Sequence, residues 1–365
     1  MNHRYITKIE QVPGLSRKDR DAIQQITNQF RFRANDYYLS LIDFADSNDP
    51  IARIIIPDST ELDGWGATDA SQENLYTKAP GIQHKYLSTA VLLVTDICGG
   101  FCRFCFRKRI FIDGNEEAVR DISPGIEYIK KHPKITNVLL SGGDPLMLST
   151  ERLENIIRQI REIDHVKIIR IGTKLPAFYP HRIINDPSLL DVLKKYSTRE
   201  TKIYAMVHFN HPRELTEQAL TAVNLLHDAG VITANQTPLI KGVNDDPDTL
   251  AELFRRLSFA GITPYYVFQC RPTAGNHGYT VPVERTFEVF KEAKRFVSGL
   301  AKRAKLVISH ATGKIEIIGK KDDHVFFKYH QAVDQKDASR ILIFRSNPDA
   351  YWLDDYAEQA VSRHG

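Results

Sequence analysis

From Ala90 onward the chain repeats one pattern, in which short apolar, β-branched runs alternate with helix-length amphipathic segments. The strand candidates are 90–95, 136–141, 166–172, 202–208, 231–237 and 264–269. Between them lie stripes at helical spacing. Leu153, Ile156, Ile157, Ile160 and Ile163 form one, and Leu215, Ala219, Val223 and Leu226 form another that ends at Gly230. A third starts at Asp246-Pro247, carries Leu250, Leu253, Phe254 and Leu257, and ends at Gly261. Strand, helix, strand at this interval means right-handed βαβ units and a parallel sheet. Six such units predict an α/β fold, a partial (β/α)6 TIM-type barrel. The carboxyl ends of its strands would converge on one face.

The flanks read differently. Residues 17–31 have Ile23, Ile26 and Phe30 at helical spacing, Pro50 and Pro57 bracket Ile54-Ile55-Ile56, and 58–80 is polar and irregular. After an amphipathic helix near 283–300 comes Leu306-Val307-Ile308. Residues 314–318 and 324–329 then alternate like a hairpin around Lys320-Lys321-Asp322-Asp323, and 340–344 offers a further strand. The expected division is a helical, loop-rich N-terminal region (1–88), the barrel (89–310) and a small β-rich C-terminal extension (311–365) acting as an interface or lid.

Directly after the first barrel strand stands T-D-I-C-G-G-F-C-R-F-C-F-R-K, with Cys98, Cys102 and Cys105 spaced C-x3-C-x2-C. An iron–sulfur cubane usually takes four thiolates, so a compact set of three implies one iron reserved for a ligand that is not protein. Structural zinc would need a fourth ligand; Cys270 is distant in sequence, though a histidine could serve. A disulfide is the poorer reading, because Met1-Asn2-His3-Arg4 leads into a polar segment and no secretory leader is evident. Inert buried cysteines would need neither this register nor the basic and aromatic residues that follow.

With 49 basic against 45 acidic side chains the net charge is +4, which points to no polyelectrolyte partner. Arg107-Lys108-Arg109 sits beside the cysteines, where cations serve an anionic substrate or cofactor rather than nucleic acid. No apolar run approaches the roughly 20 residues needed to cross a bilayer. A cytoplasmic protein without a membrane partner is expected. The second strand ends in Ser141-Gly142-Gly143-Asp144-Pro145-Leu146, where the glycines allow close approach of a ligand and Asp144 could receive an ammonium group. The competing reading is a turn before a helix.

These motifs, with N-D-P-I at 48–51, P-G-I-Q-H-K-Y at 80–86, R-I-G-T-K-L-P at 170–176, H-F-N-H-P-R-E at 208–214 and N-Q-T-P-L-I-K-G-V-N-D-D from 235, resemble the radical S-adenosylmethionine superfamily. Within it they resemble the lysine 2,3-aminomutase family, over residues 30–315. The resemblance implies that Cys98, Cys102 and Cys105 hold a [4Fe–4S] cluster whose open iron is chelated by S-adenosylmethionine. An electron from the cluster then releases a 5′-deoxyadenosyl radical that abstracts a substrate hydrogen. Gly142, Gly143 and Asp144 would lie near the methionine moiety. His208, Asn210 and Gln236 are further cosubstrate candidates, the alternative being hydrogen bonding between strand ends.

The same resemblance implies pyridoxal 5′-phosphate. Arg107 matches the arginine for the substrate carboxylate, a bidentate task suited to guanidinium. Lys85 falls where the family has one phosphate-binding arginine and Thr89 where it has the other. Lys314, in the shortened and glycine-poor His310-Ala311-Thr312-Gly313-Lys314, is the candidate to carry the cofactor, against the alternative of an exposed hairpin lysine. Arg271 and Ser309 occupy the positions of two aspartates that receive the ammonium of lysine. Two facing cations would cost on the order of several kcal/mol if desolvated. A substrate other than lysine is therefore expected, with an acidic or polar distal group, unless Arg271 is an ion pair of the barrel rim. A reductase such as flavodoxin or ferredoxin and a homo-oligomeric assembly are also implied. The readings left open are a pyridoxal-phosphate-dependent aminomutase, a relative running radical chemistry without that cofactor, and a non-catalytic iron–sulfur or zinc protein.

Overall fold

Alternating burial along strands such as 137–142 and 168–173 shapes the architecture of this computed structural model, which describes residues 4–15, 17–112 and 114–356. Val138, Leu140, Ile169 and Ile171 are buried in the main apolar core. Their neighbours Asn137, Leu139, Ser141, Arg170 and Gly172 point to the opposite face and stay half-buried. One face of the sheet thus packs against helices, and the other lines the interior, or lumen, of the partial barrel.

Twelve strands form one sheet in chain order. They are β1 (Thr77–Ala79), β2 (Ile82–Tyr86), β3 (Thr89–Thr95), β4 (Asn137–Gly142), β5 (Ile168–Thr173) and β6 (Lys202–Val207). There follow β7 (Ile232–Pro238), β8 (Thr263–Phe268), β9 (Lys305–His310), β10 (Gly313–Lys321), β11 (His324–Ala332) and β12 (Ile341–Arg345). β3 through β9 run parallel. Antiparallel β1–β2 and β10–β12 extend the two edges. The six expected barrel strands are present within two residues of their expected bounds. The run 306–308 adds one more parallel strand, β9, so the barrel portion exceeds the expected (β/α)6 count by one. Position 311 lies in the turn joining β9 to β10, within the continuous sheet.

Helix α1 (Arg17–Gln29) belongs to the N-terminal region; α2 (Ser123–Lys130), α3 (Thr150–Arg161), α4 (Pro187–Tyr196), α5 (Glu217–Asp228), α6 (Pro247–Phe259) and α7 (Val283–Arg295) alternate with the strands. Their starts are capped as the sequence directs. Ser149, Thr216 and Asp246 accept hydrogen bonds from the N–H groups of Arg152, Ala219 and Thr249. Past α5 and α6, Gly230 and Gly261 have φ of 75° and 72°, a left-handed backbone that glycine adopts without a Cβ clash. Among the described residues no helix is long and apolar enough to cross a membrane.

The sheet does not close by strand pairing between its two ends. β2 and the segment before it instead reach the end of β9 and the β9–β10 turn. The Ser71 hydroxyl donates to the Ser309 carbonyl (3.0 Å), the Tyr76 hydroxyl to that of Ala311 (2.7 Å), and Lys85 Nζ to that of His310. The N-terminal region packs on the mouth through a second apolar cluster that joins Tyr38, Ile51, Ile54 and Ile55 to Phe104 and Phe178. Full burial of such an isoleucine stabilises by about 1.5–3 kcal/mol. Two distant motifs meet here, because Asp49 caps the helix Pro50–Ile55 and also pairs with Arg213 at 2.6 Å.

Candidate active site

The cysteine loop leaves the carboxyl end of β3 and is suspended from the N-terminal region. Arg33 Nε donates to the Cys98 carbonyl (2.8 Å), Asn35 Nδ2 to that of Gly99 (3.0 Å), and the Arg103 N–H to that of Ile54 (2.9 Å). The three thiols are free. Burial raises all of them, Cys102 to about 12, and Asp144, Cys105 and Cys102 add to the rise at Cys98. Such a setting keeps sulfur protonated until a metal supplies the compensating charge. Among the described residues no three His, Cys, Asp or Glu side chains are placed to hold a single metal ion. A cluster makes a different demand, since its thiolates bind separate irons, and three free thiols on one loop fit it.

At the end of β4 the chain itself comes close to both glycines. A Cβ at Gly142 (φ 113°) would lie 2.3 Å from the Thr95 carbonyl oxygen, and one at Gly143 would lie 2.4 Å from that of Ile97. The close approach is made by the base of the cysteine loop itself. Asp144 is buried, and its carboxyl accepts from the N–H groups of Leu146 (3.1 Å) and Lys174 (2.7 Å) and from the Thr173 hydroxyl (2.9 Å). Burial raises it to about 6 despite those bonds. Both its oxygens have partners within the protein, one bond on Oδ1 and two on Oδ2.

His208 and Gln236 are brought together at 3.0 Å. Burial, then the charge of Lys174, lowers His208 to about 3, so the ring is neutral. The Asn210 amide is committed, accepting from Lys174 Nζ at 2.6 Å and donating to the Thr237 hydroxyl at 2.7 Å. Lys174 also pairs with the fully buried Glu214 at 2.5 Å, and the Tyr38 hydroxyl donates to the same carboxylate at 2.6 Å. Lys174 and Glu214 escaped sequence reading although both lie inside recognised motifs, because nothing local shows that two strand ends meet.

The basic run is not an open cationic patch. Lys108 donates to Glu61 (3.2 Å) and to the Gly275 carbonyl (2.9 Å). Arg109 binds Glu117 and Glu73, each at 2.7 Å. Arg107 grips Glu73 side-on, Nε to Oε2 at 3.0 Å and Nη2 to Oε1 at 3.1 Å, and its Nη1 donates to Ser141 Oγ at 2.8 Å. Arg271 donates to Ser309 Oγ at 3.1 Å and stands 3.5 Å from the same Glu73 Oε1. Both guanidiniums lie over the Phe106 ring, at 4.8 and 3.7 Å. Arg107 and Arg271 therefore converge on one carboxylate. Burial acts to raise Glu73, yet Arg107, Arg271 and Arg109 hold it well below the usual carboxylate range. No sequence signal marks this glutamate within the irregular stretch 58–80.

Lys314 is not the exposed hairpin lysine of the competing reading. It pairs with Ser309 between β9 and β10, and its Nζ lies 4.2 Å from the Tyr266 ring centroid. Burial, followed by the charges of Arg170, Arg271 and Lys85, lowers it to about 7. Lys85 is lowered to about 8, by burial and then Arg271. Arg170, on the lumen side of β5, is steadied by Asn137 Oδ1 at 2.9 Å. Among the described residues no carboxylate is hydrogen-bonded to Lys314, Lys85 or Arg170.

Residues 92–254 match the model of the Radical SAM superfamily. A chain of Aquifex aeolicus (strain VF5) bearing the name "Putative L-lysine 2,3-aminomutase" is 51% identical over 97% of this chain and 95% of its own length. L-lysine 2,3-aminomutase of Clostridium subterminale is 37% identical, covering 80% of this chain and 70% of its own. Glutamate 2,3-aminomutase of Clostridioides difficile (strain 630) is 33% identical, covering 81% and 69%. Identity of this extent, joined to a partial barrel with three free thiols at the end of its first parallel strand, makes the chain a member of the lysine 2,3-aminomutase family of the radical SAM superfamily.

Proposed function

We propose that this family member is a pyridoxal-phosphate-dependent 2,3-aminomutase acting on a small amino acid other than lysine. Lys314 carries the reading. An enclosed amine drawn down to about 7, with cations around it, is available as the unprotonated nucleophile that covalent attachment of a carbonyl cofactor needs. Lys85 and Arg170 are the cations that would face the phosphate. Cys98, Cys102 and Cys105 would hold a [4Fe–4S] cluster with S-adenosylmethionine. When bound, these groups supply the hydrogen-abstracting radical and the electron sink for nitrogen migration.

The chain's own residues do the rest. Arg107 takes the substrate carboxylate, and the neutral His208–Gln236 pair presents polar contacts to the cosubstrate at the strand ends. Gly142, Gly143, Asp144 and Asn210 serve by holding the cysteine loop, β5 and Lys174 in register. The sheet and the packed N-terminal region keep bulk water from the lumen. The lysine ammonium is disfavoured by Arg271, which stands beside Ser309 where lysine-specific members carry aspartates. A relative named for glutamate accords with an acidic distal group. In this reading the enzyme works in the cytoplasm, receives its electron from a flavodoxin- or ferredoxin-type reductase, and assembles as a homo-oligomer.

Incubation with pyridoxal phosphate and borohydride should leave a pyridoxyl adduct at Lys314, found by peptide mass spectrometry and lost in Lys314→Ala. An unmodified Lys314 would sink the pyridoxal-phosphate reading and favour radical chemistry without that cofactor. Anaerobically reconstituted protein should release 5′-deoxyadenosine from S-adenosylmethionine, and Cys98→Ala should not. A panel of deuterated amino acids, scored for label in 5′-deoxyadenosine, then names the substrate.

A further inference from the structure

Glu73 opens the short turn Glu73–Tyr76, and Asp69 fixes that turn by accepting the N–H groups of Glu73 (3.0 Å) and Asn74 (3.1 Å). Its side chain fills the whole side-on edge of Arg107, and Ser141 occupies the remaining nitrogen. While Glu73 is in place, the side-on edge of Arg107 is closed to a second carboxylate. The neighbours differ in their dependence on Glu73. Arg109 keeps Glu117 as a second carboxylate through two bonds, at 2.7 and 2.9 Å, and Arg271 keeps Ser309. Arg107 has Glu73 as its acid.

We propose that Glu73 is a resident surrogate for the substrate's carboxylate, filling the Arg107–Arg271 clamp until the substrate displaces it and so releases residues 69–76 from the barrel mouth. The inference rests on Arg107 as the carboxylate anchor. A side-on guanidinium–carboxylate pair has the same geometry whether the carboxylate belongs to glutamate or to an amino-acid ligand. The exchange replaces one negative charge by another, so no guanidinium is left bare in a desolvated site. The same segment ties the seam at both its ends, Ser71 to Ser309 and Tyr76 to Ala311, two bonds close to Lys314 in sequence. Withdrawal of Glu73 thus loosens the strap over the lumen at the moment the ligand arrives. Glu73 also sets a threshold for entry, because a ligand binds only the fraction of molecules whose clamp is open.

The test uses the full chain and two probes that share an α-carboxylate, L-glutamate and L-lysine, titrated by calorimetry into the parent, Glu73→Gln and Arg107→Met. With the competitor neutralised, Glu73→Gln should bind at least one probe about tenfold or more tighter than the parent. Arg107→Met should bind neither. Amide hydrogen exchange in 69–76 should rise in the parent on saturation with the probe, and should already be raised in Glu73→Gln. Should Glu73→Gln fail to fold, Glu73→Asp, one methylene shorter, is expected to bind more tightly as well, and the exchange measurement needs no variant. Equal or weaker binding by both Glu73 variants, with Arg107→Met still inactive in binding, would overturn the surrogate while leaving the anchor in place. Unchanged binding by Arg107→Met would remove the anchor, and the inference with it.

Discussion

Two clusters of basic side chains border the barrel, and the fold treats them in opposite ways. On the side of the cysteine loop, Arg103 and Lys108 share Glu61, while Arg107, Arg109 and Arg271 share Glu73, with Glu117 and Asp69 behind Arg109. On the side of β2, β5 and β10, Lys85, Arg170 and Lys314 have no bonded carboxylate among the described residues, and Arg170 and Lys85 each depress Lys314. A desolvated cation without a carboxylate is costly, and on the proposed reading an anion at the second set would offset that cost. The first cluster is held by acids of the chain itself, whereas the second has none among the described residues.

Removing the acid from the first cluster has the largest expected effect. Glu73→Ala leaves guanidiniums uncompensated and should lose about 3–5 kcal/mol in urea unfolding. Lys314→Met should cost nothing or stabilise. Comparable losses in the two variants would erase the distinction between the clusters. The next effect is a pH dependence. Lys314 and Lys85 have folded values of about 7 and about 8, below the unfolded lysine range near 10.4. Between pH 7 and 10 the unfolded chain therefore binds more protons than the folded one, and stability should rise with pH, by up to a few kcal/mol. Lys314→Met should flatten that rise, measured as midpoint against pH; a parent stability that falls over this window would contradict the bare-cation account. Smaller still, Arg170→Gln removes one repelling charge and should move the pH midpoint of borohydride trapping at Lys314 upward, by up to about one unit. The smallest change is expected at the surface. Lys195→Ala breaks the exposed pair with Glu154 at 2.8 Å and should leave the unfolding midpoint unmoved, since solvent already screens it.

The contrast also explains which features were legible in the sequence. The strands showed as short apolar, β-branched runs, and the helices because Ile156, Ile157 and Ile160 or Leu250, Leu253 and Phe254 return at helical spacing. β9 was seen only as an apolar run, since three residues do not reveal whether a strand joins its neighbour parallel or antiparallel. Cys98, Cys102 and Cys105 were readable because their meaning is contained in one short loop. Gly142 and Gly143 were singled out for the close approach of a ligand, whereas the contact with residues 95–97 of the same chain could not be read from the sequence.

The sequence by itself determined the parallel α/β framework, the cysteine loop at the mouth, and the basic residues that follow it, because each is written within a few turns of helix or one strand and its loop. Only the tertiary structure decided how the charges are paired. Glu73 reaches Arg107 across 34 residues of chain, and Arg271 reaches Ser309 across 38. Lys314 owes its lowered pKa to burial and to cations on β2, β5 and the loop after β8. Electrostatic energy depends on distance in space and on desolvation, and neither is a function of separation along the chain.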